Sequence, residues 1–136
     1  MILKVYTDGG SKGNPGPSSI GVVGYLDGKE VLKISKSIGT ATNNDAEYRA
    51  LIEALDNIKN YISKIKSTNQ ISKIEFFSDS RLMVNQVKGL FKVKNGKIKE
   101  YILQIRILEQ KIDLPIAYHY VPREQNQEAD KLVNSV

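Results

Sequence analysis

The chain has 136 residues, a formal net charge of +5, one histidine and no cysteine. This composition excludes disulfides and Cys/His zinc sites, leaves little room for a histidine-based triad, and makes carboxylates the main candidates for catalytic chemistry. The length predicts a single domain over residues 1–136, and the positive charge is typical of proteins that bind polyanions as well as of merely soluble ones. The sequence contains neither an apolar run of membrane-spanning length nor a secretory leader, so we expect a cytoplasmic protein without membrane contact.

The first predicted strand covers residues 2–7, where β-branched and aromatic residues place apolar side chains on both faces. This pattern is typical of a central strand. The strand ends at Asp8 and leads into a loop at 9–17 that is rich in glycine and proline, whose backbone N–H groups we expect to be free to contact a ligand. Taken alone, such a segment is more typical of an ordinary polar turn than of a site.

Two further strands are predicted at 19–26 and 30–38. Asp27 and Gly28 lie between them and predict a type I′ hairpin turn. The first three strands are therefore expected to form an antiparallel meander, which a connector at 39–42 links to the next element.

A helix is predicted over 44–62, with apolar residues at helical spacing on one face. This stripe consists of Leu51, Ala54, Leu55, Ile58 and Ile62. Glu47 lies one turn before the stripe, on the same inward face. It is either the partner of Asn44 in a capping box or a buried site residue, and the helix alone leaves both interpretations open.

A polar loop at 64–72 is expected to precede a fourth strand at 73–78 and a short helix over 80–88 that ends before Gly89. Asp79 stands at the junction of the strand and the helix. It is either the N-cap of the helix or a site residue, because ligands gather at strand ends in α/β sheets.

The C-terminal part predicts the elements that complete an α/β domain. They are a basic segment at 90–99, a helix over 98–112, a strand at 116–121, a polar loop at 122–127 and a final helix over 128–136 with Asp130 near its start. Lysines on a surface are ordinarily only solvated, but Phe91 among the lysines of the basic segment also suits contact with a nucleic-acid backbone.

The element order predicts one mixed five-stranded sheet with helices on both faces. Asp8 and Asp79 end two strands, whereas Glu47 and Asp130 lie in first helical turns. Four carboxylates that converge on one side of a sheet repel one another unless cations neutralise them, and a set of oxygen ligands favours Mg²⁺ or Mn²⁺. Two such ions would activate a water molecule and stabilise the leaving oxygen of a phosphodiester.

Five motifs carry these acids and the glycine-rich loop. They are Tyr6-Thr7-Asp8-Gly9, Gly13-Asn14-Pro15-Gly16-Pro17, Thr42-Asn43-Asn44-Asp45-Ala46-Glu47, Ser78-Asp79-Ser80 and Glu128-Ala129-Asp130. In this order and spacing, over essentially the whole chain, the sequence resembles the type 1 ribonucleases H, closest to their compact archaeal and bacterial members. Each motif is weak alone, and the combination is highly specific.

The resemblance implies a ribonuclease H-like α/β fold: a five-stranded mixed sheet, with an antiparallel meander of strands 1–3 plus parallel strands 4 and 5, flanked by helices. It implies that Asp8, Glu47, Asp79 and Asp130 are the catalytic acids that bind two Mg²⁺ ions, with Mn²⁺ as a substitute. The implied reaction is hydrolysis of the RNA strand of RNA–DNA hybrids, which leaves 5′-phosphate and 3′-hydroxyl ends. A monomer is expected, and side activity on double-stranded RNA stays open.

The resemblance also assigns substrate contacts. Backbone groups of the loop that includes Gly9, Gly10 and Ser11 would sense 2′-hydroxyls, which distinguish RNA from DNA. Contacts in the minor groove are implied for Asn14, Asn43 and Asn44, and a DNA-strand phosphate is implied at Thr42 and Asn95.

The sequence departs from the family pattern at several points. Arg81 replaces a common glutamine and suggests a phosphate contact, and Thr40 replaces an arginine that some relatives use for the DNA phosphate. The short segment 90–94 stands in for a long basic protrusion. The loop at 122–127 lacks the histidine that assists catalysis in many relatives, and Arg123 and Glu124 are the nearest candidates for that role.

Two alternatives compete with a ribonuclease H. A non-catalytic module that binds hybrid or double-stranded RNA on the same fold would be expected to lack at least one of the four acids. A resolvase or integrase core would lack the Gly-Asn-Pro-Gly-Pro loop and the paired asparagines. The sequence has all of these features, which disfavours both alternatives.

Overall fold

The computed structural model describes residues 1–65 and 71–136, which form a five-stranded mixed sheet with helices on both faces. In chain order the elements are β1 (Ile2–Ser11), β2 (Gly16–Leu26), β3 (Lys29–Ala41), α1 (Asn43–Ile65), β4 (Lys73–Ser78), α2 (Arg81–Val87), α3 (Gly96–Ile112), β5 (Ile116–Tyr120), a 3₁₀ turn (Arg123–Gln125) and α4 (Gln127–Asn134). No helix among these residues has both the length and the apolar character that crossing a membrane would require.

The sheet has the strand order β3-β2-β1-β4-β5. The strands β1, β2 and β3 are antiparallel neighbours, whereas β4 is parallel to both β1 and β5. The predicted meander followed by two parallel strands is therefore confirmed, and β1 is the central strand. Because β1 and β4 run in the same direction, their C-terminal ends lie at the same edge of the sheet.

Two adjacent glycines of β1 show which helix covers which face. A Cβ atom on Gly9 would lie 2.3 Å from the carbonyl carbon of Ala46 in α1, and one on Gly10 would lie 3.3 Å from the side chain of Val133 in α4. Since successive residues of a strand point to opposite faces, α1 and α4 pack on opposite faces of β1.

The hydrophobic core lies on the α1 face. Apolar residues of β1, β2, β4 and α1 meet there with less than 2% of their surface exposed, namely Leu3, Val5, Val22, Leu51, Leu55 and Ile74. Helix α3 packs against α1 and adds Ile105, which is fully buried. The predicted inward stripe of α1 is confirmed, so a rigid core supports the helix that carries Glu47.

Some predicted boundaries are wrong, chiefly in the first three strands. The predicted loop after Asp8 begins later, because β1 continues to Ser11 by pairing Gly9 with Ile20 and Gly10 with Ser19. The predicted connector at 39–42 belongs mostly to β3. Backbone pairing with β2 extends both strands into residues whose side chains carry little strand propensity.

The hairpin prediction is confirmed, since Asp27 and Gly28 have φ values of +52° and +77°. The polar loop predicted at 64–72 falls largely on residues 66–70, which lie outside the described residues, and its first residues belong to the end of α1.

Candidate active site

Three carboxylates converge at the edge of the sheet where β1 and β4 end. Asp8, Glu47 and Asp79 each place an oxygen within 4.8 Å of the others. Asp130 lines the same cavity, whose volume is about 640 Å³. The structure therefore brings together the four acids that the sequence singled out. Three of them form a tight cluster, and Asp130, in the first turn of α4, lies beside Asp8.

Glu47 is held by the close approach of α1 to β1. The N–H of Gly9 donates to Glu47 Oε1 over 2.6 Å, and a side chain on Gly9 would overlap the backbone of α1. The capping box at the start of α1 is formed by other residues: Asp45 N–H donates to Thr42 Oγ1 and Thr42 N–H donates to Asp45 Oδ2. The capping interpretation of Asn44 and Glu47 is therefore wrong, and Glu47 faces the acid cluster.

Asp79 does not cap α2. The hydroxyl of Ser80 is the N-cap and accepts from the N–H of Met83. The carboxylate of Asp79 instead lies 3.4 Å from Asn126 Nδ2 and 3.6 Å from Arg123 Nε. The carboxylate of Asp79 therefore belongs to the acid cluster. Among the described residues, the cation that pairs with it is Arg123, whose side chain is 83% exposed.

Asp130 is held in place by two residues, Gly21 and Asn126, that the sequence analysis did not single out. A side chain on Gly21 in β2 would lie 2.2 Å from the carbonyl oxygen of Ala129, so glycine lets α4 approach the sheet. Asn126, in the predicted polar loop, is buried and donates from Nδ2 to the carbonyl of Thr7 over 2.9 Å. An asparagine just before a helix is an N-cap signal, but here its side chain makes no cap hydrogen bond.

The cluster is electrostatically strained in the absence of cations. Burial, followed by repulsion from Asp79 and Asp130, raises the pKa of Asp8 to about 8. Burial and repulsion from Asp8 and Asp79 likewise raise the pKa of Glu47 well above its ordinary value, although the Gly9 N–H opposes the shift. Asp8 and Glu47 thus resist ionisation because both are buried and because their neighbours are also acids.

These residues fit a divalent cation. The donors are carboxylate oxygens alone, which suits hard ions such as Mg²⁺ rather than metals that prefer sulfur or imidazole ligands. A cation at the cluster would remove the repulsion that raises the pKa of Asp8 and Glu47. The donor chemistry and the electrostatics therefore agree.

The raised pKa of Asp8 leads to a stability prediction. This pKa rises from its ordinary 3.8 to about 8 in the folded protein, so the protonated Asp8 side chain contributes to the free energy of unfolding. That contribution is fully present below pH 3.8 and is lost as pH rises through about 8. In metal-free buffer, Asp8→Asn should therefore become progressively more stable than the wild type between about pH 5 and about pH 8. Chemical denaturation with a chelator present measures this difference, and a difference that stays constant with pH would contradict the shift.

Two of the three asparagines expected to contact substrate, Asn14 and Asn43, form a hydrogen-bonded rim with Ser11. Ser11 N–H donates to Asn43 Oδ1, and Asn43 N–H donates to Asn14 Oδ1, each over 2.8 Å. Gly9, Gly10, Ser11, Asn43 and Asn44 line the acid cavity. The expectation of free N–H groups in this segment is wrong for Gly9, Ser11 and Lys12, whose N–H groups already donate within the protein.

Other predicted contacts lie outside the acid cavity. Asn95 caps α3 by accepting from the N–H groups of Lys97 and Ile98. Lys97 in turn pairs with Asp45 over 3.3 Å, which ties the basic segment to the start of α1 beside Thr42. The start of α2 exposes Arg81.

The two candidates for an assisting catalytic role in the loop before α4 lie in different cavities. Arg123 lines the acid cavity, whereas Glu124 lines a different cavity on the outer face of the sheet. His119 is on β5, as predicted, with its Nε2 at 2.8 Å from Glu75 Oε2 and its ring stacked on Phe77.

The chain is similar to several proteins by sequence. Residues 6–136 match the family model described as reverse transcriptase-like. A protein of Mycobacterium tuberculosis named bifunctional protein Rv2228c is 40% identical over 98% of this chain, but the chain spans only 35% of its length. Ribonuclease HI of Haemophilus ducreyi is 34% identical over 88% of this chain and 73% of its own length.

Solved structures agree with the sequence comparisons. LC11-RNase H1, solved in complex with an RNA/DNA hybrid, is 38% identical and superimposes with a TM-score of 0.90 over 98% of this chain and 95% of its own. RNase H1 of Halobacterium salinarum is 34% identical, with a TM-score of 0.87 over 99% of this chain and 96% of its own. The sheet order and the flanking helices found here are thus those of a known fold.

Proposed function

Because the chain belongs to the ribonuclease H family, we propose that it is an endoribonuclease that hydrolyses the RNA strand of RNA–DNA hybrids and leaves 5′-phosphate and 3′-hydroxyl ends. The observation that carries this proposal is the cluster of Asp8, Glu47 and Asp79, beside Asp130 and below a rim of asparagines. The likeness to a structure that contains an RNA/DNA hybrid supports the choice of substrate.

The four acids are our proposed metal ligands. Asp8, Glu47, Asp79 and Asp130 would hold two Mg²⁺ ions, with Mn²⁺ as a substitute. Such ions, when bound, supply an activated water and stabilise the leaving oxygen. The protein itself fixes the carboxylates before the ions arrive, because Gly9 anchors Glu47 and Asn126 lies against Asp79.

The rim is proposed to recognise the RNA strand. Since the N–H groups of Gly9 and Ser11 are occupied, carbonyl oxygens of this segment are the available acceptors for 2′-hydroxyls. The side-chain amides of Asn14, Asn43 and Asn44 would contact the minor groove, and the locked Asn14–Asn43 pair reduces the entropy lost on binding.

A phosphate of the DNA strand is proposed to lie outside the acid cavity. Thr42 and Asn95 directly precede α1 and α3, and Lys97 in the first turn of α3 pairs with Asp45 in the first turn of α1. Arg81 adds an exposed cation at the start of α2. These groups would place the hybrid so that its RNA strand enters the cavity.

A cleavage assay on three substrates tests the proposal. The hybrid, a DNA duplex and an RNA duplex of one sequence are incubated with Mg²⁺ and, separately, with Mn²⁺. We expect cleavage of the RNA strand of the hybrid and none of DNA. Tight binding of the hybrid without cleavage would favour the non-catalytic module, whereas cleavage of DNA would favour a resolvase-like enzyme. Cleavage of double-stranded RNA would reveal a side activity.

Binding should require 2′-hydroxyls and weaken steeply with salt. The lysines at positions 92, 94, 97 and 99 are exposed and would release counterions from phosphates. Anisotropy titrations with Asp8→Asn, a variant expected not to cleave, should give tighter binding to the hybrid than to a DNA duplex of the same sequence. Equal affinity for both at matched salt would contradict the assignment.

The residues of the loop before α4 should matter more than His119. Arg123 stays cationic and cannot transfer a proton, but it lies 3.6 Å from Asp79 and can help product phosphate leave. We propose that Glu124, which lines the cavity on the outer face and not the acid cavity, accepts a proton or approaches a metal ion only as product departs.

Arg123→Ala and Glu124→Ala should therefore slow turnover measurably, by less than the about 10² to 10⁴-fold typical of lost general acid–base catalysis. His119→Ala should be nearly silent, since His119 packs on Phe77 and pairs with Glu75. Steady-state kinetics on folded variants measures both effects. A large loss of turnover in His119→Ala, with both loop variants at wild-type turnover, would contradict the assignment of the assisting role to Arg123 and Glu124.

A further inference from the structure

A second cavity, of about 910 Å³, lies on the outer face of the sheet. Its floor is formed by the outward side chains of β1, including Ile2 and Tyr6, and by Tyr25 of β2, and its wall by the segment 124–128. We call it the outer groove. Helix α4 covers only the neighbouring part of this face, beside Gly10 and Gly21, so the groove is open to solvent.

The outer groove combines aromatic rings with an acidic rim. Tyr6 and Tyr25 meet edge to face, with ring centroids 6.2 Å apart. Asp27, Glu124 and Glu128 line the groove, against two cationic groups, the side chain of Lys4 and the α-amino group of Met1. Burial and repulsion from Glu128 raise the pKa of Tyr25, in agreement with a negative potential at the rings. In a chain of net charge +5 this is a surface of opposite sign, and it repels nucleic-acid phosphates.

One buried atom at the outer groove lacks a partner. Asn126 lines the groove and is 1% exposed, and its Oδ1 accepts no hydrogen bond from any residue in 1–65 or 71–136. Its Nδ2 is engaged with Thr7 and lies near Asp79, so only the acceptor remains. Buried acceptors are seldom left unpaired, and an N–H donor of a bound group would satisfy this one.

We propose that the outer groove binds a short basic segment of another polypeptide. The acidic rim selects lysine or arginine, the tyrosines contact apolar side chains and cations, and Asn126 Oδ1 takes a donor. The stretch of β1 from Ile2 to Tyr6 is about 13 Å long, which matches about four residues of an extended peptide. Polyamines would satisfy the charge but leave the apolar floor uncovered.

Peptide binding by anisotropy at physiological salt tests this proposal. The labelled probe is Gly-Lys-Phe-Arg-Leu-Lys-Gly. Two control peptides replace its cations by glutamate or its apolar residues by glycine, and spermine serves as a competitor. We expect each control peptide to bind at least about tenfold more weakly than the probe, which is about 1.4 kcal/mol. Equal binding of either control peptide, or displacement of the probe by stoichiometric spermine, would overturn the proposal.

Variants locate the site. Glu128→Lys and Tyr25→Ala should each weaken binding of the probe about tenfold, or about 1.4 kcal/mol. Glu100→Lys, which makes the same charge change on the exposed side of α3, should leave it unchanged. Amide shifts in NMR spectra should map to β1, β2 and residues 124–128. Equal affinity of Glu128→Lys and Glu100→Lys, or shifts confined to the acid cavity, would overturn the proposal.

A competition separates this result from the proposed function. With Asp8→Asn, excess hybrid should displace no more probe than its direct binding to the cationic probe, titrated without protein, accounts for, because the rim of asparagines and the outer groove lie at different surfaces. Greater displacement would place the peptide on the nucleic-acid surface and contradict the outer groove as its site. The peptide titration and the shift map need no cleavage, so failure of the proposed ribonuclease activity leaves the test intact.

Discussion

Asp8→Asn should abolish cleavage of the hybrid while leaving the fold intact. Asp8 lies in the C-terminal half of the central strand, and its carboxylate belongs to the cluster formed with Glu47 and Asp79. The amide offers one neutral oxygen where a charged pair is needed, so the contribution of the ions, several kcal/mol, should be lost. We expect a rate at least about 10³-fold below that of the wild type.

The measurement is single-turnover cleavage with saturating Mg²⁺, alongside circular dichroism and a thermal melt. Asp56→Asn is the matched control, because it makes the same change at a half-exposed position on α1 that pairs only with Lys59 among the described contacts. That control should cleave like the wild type. If Asp8→Asn kept more than about a tenth of the wild-type rate, its role as a metal ligand would be wrong.

Glu47→Gln should remove activity and at the same time raise stability in metal-free buffer. The glutamine oxygen can still accept from Gly9 N–H, so the anchor between α1 and β1 is kept. The negative charge that burial and Asp8 disfavour is gone. Because the pKa of Glu47 is raised, the wild type loses free energy of unfolding as pH rises and Glu47 ionises. Glutamine does not ionise, so the variant does not lose this free energy.

A melt with chelator and a melt with Mg²⁺ test this pair of effects. The variant should melt above the wild type with chelator, and Mg²⁺ should raise the melting temperature of the wild type much more than that of the variant. Glu53→Gln on the same helix removes only an exposed ion pair with Lys36 and should change little. A variant that melts lower and cleaves normally would restore a purely structural role for Glu47.

Local patterns were sufficient to predict most elements and the acid set. The hairpin at Asp27 and Gly28, the inward stripe of α1 and the antiparallel meander of the first three strands are all confirmed. Each depends on neighbouring residues or on a regular repeat, which is what a sequence displays directly. The convergence of Asp8 and Asp79 also follows from topology, because β1 and β4 run in parallel and each acid lies two residues beyond the Tyr6–Phe77 pair.

Contacts between distant residues could not be predicted in this way. The choice between capping and site roles for Glu47 depends on Gly9, 38 residues away, and on the competing box of Thr42 and Asp45. Asn126 looked like part of a polar loop, but it is buried because it bonds to the carbonyl of Thr7, 119 residues away. Nothing in the sequence around Gly21 indicates why a glycine is needed there, because the requirement comes from the close approach of α4, which is far away in the chain.

The ends of the cleaved RNA test the central claim most directly. Hydrolysis by a water molecule at a carboxylate-bound metal leaves a 5′-phosphate and a 3′-hydroxyl, whereas attack by the 2′-hydroxyl of the RNA itself leaves a 2′,3′-cyclic phosphate and a 5′-hydroxyl. Mass spectrometry of the RNA fragments from a hybrid cleaved with Mg²⁺ distinguishes the two. We predict 5′-phosphate and 3′-hydroxyl ends, formed by the wild type and not by Asp8→Asn. Cyclic phosphate ends from the purified wild type, or equal product from both proteins, would contradict the account.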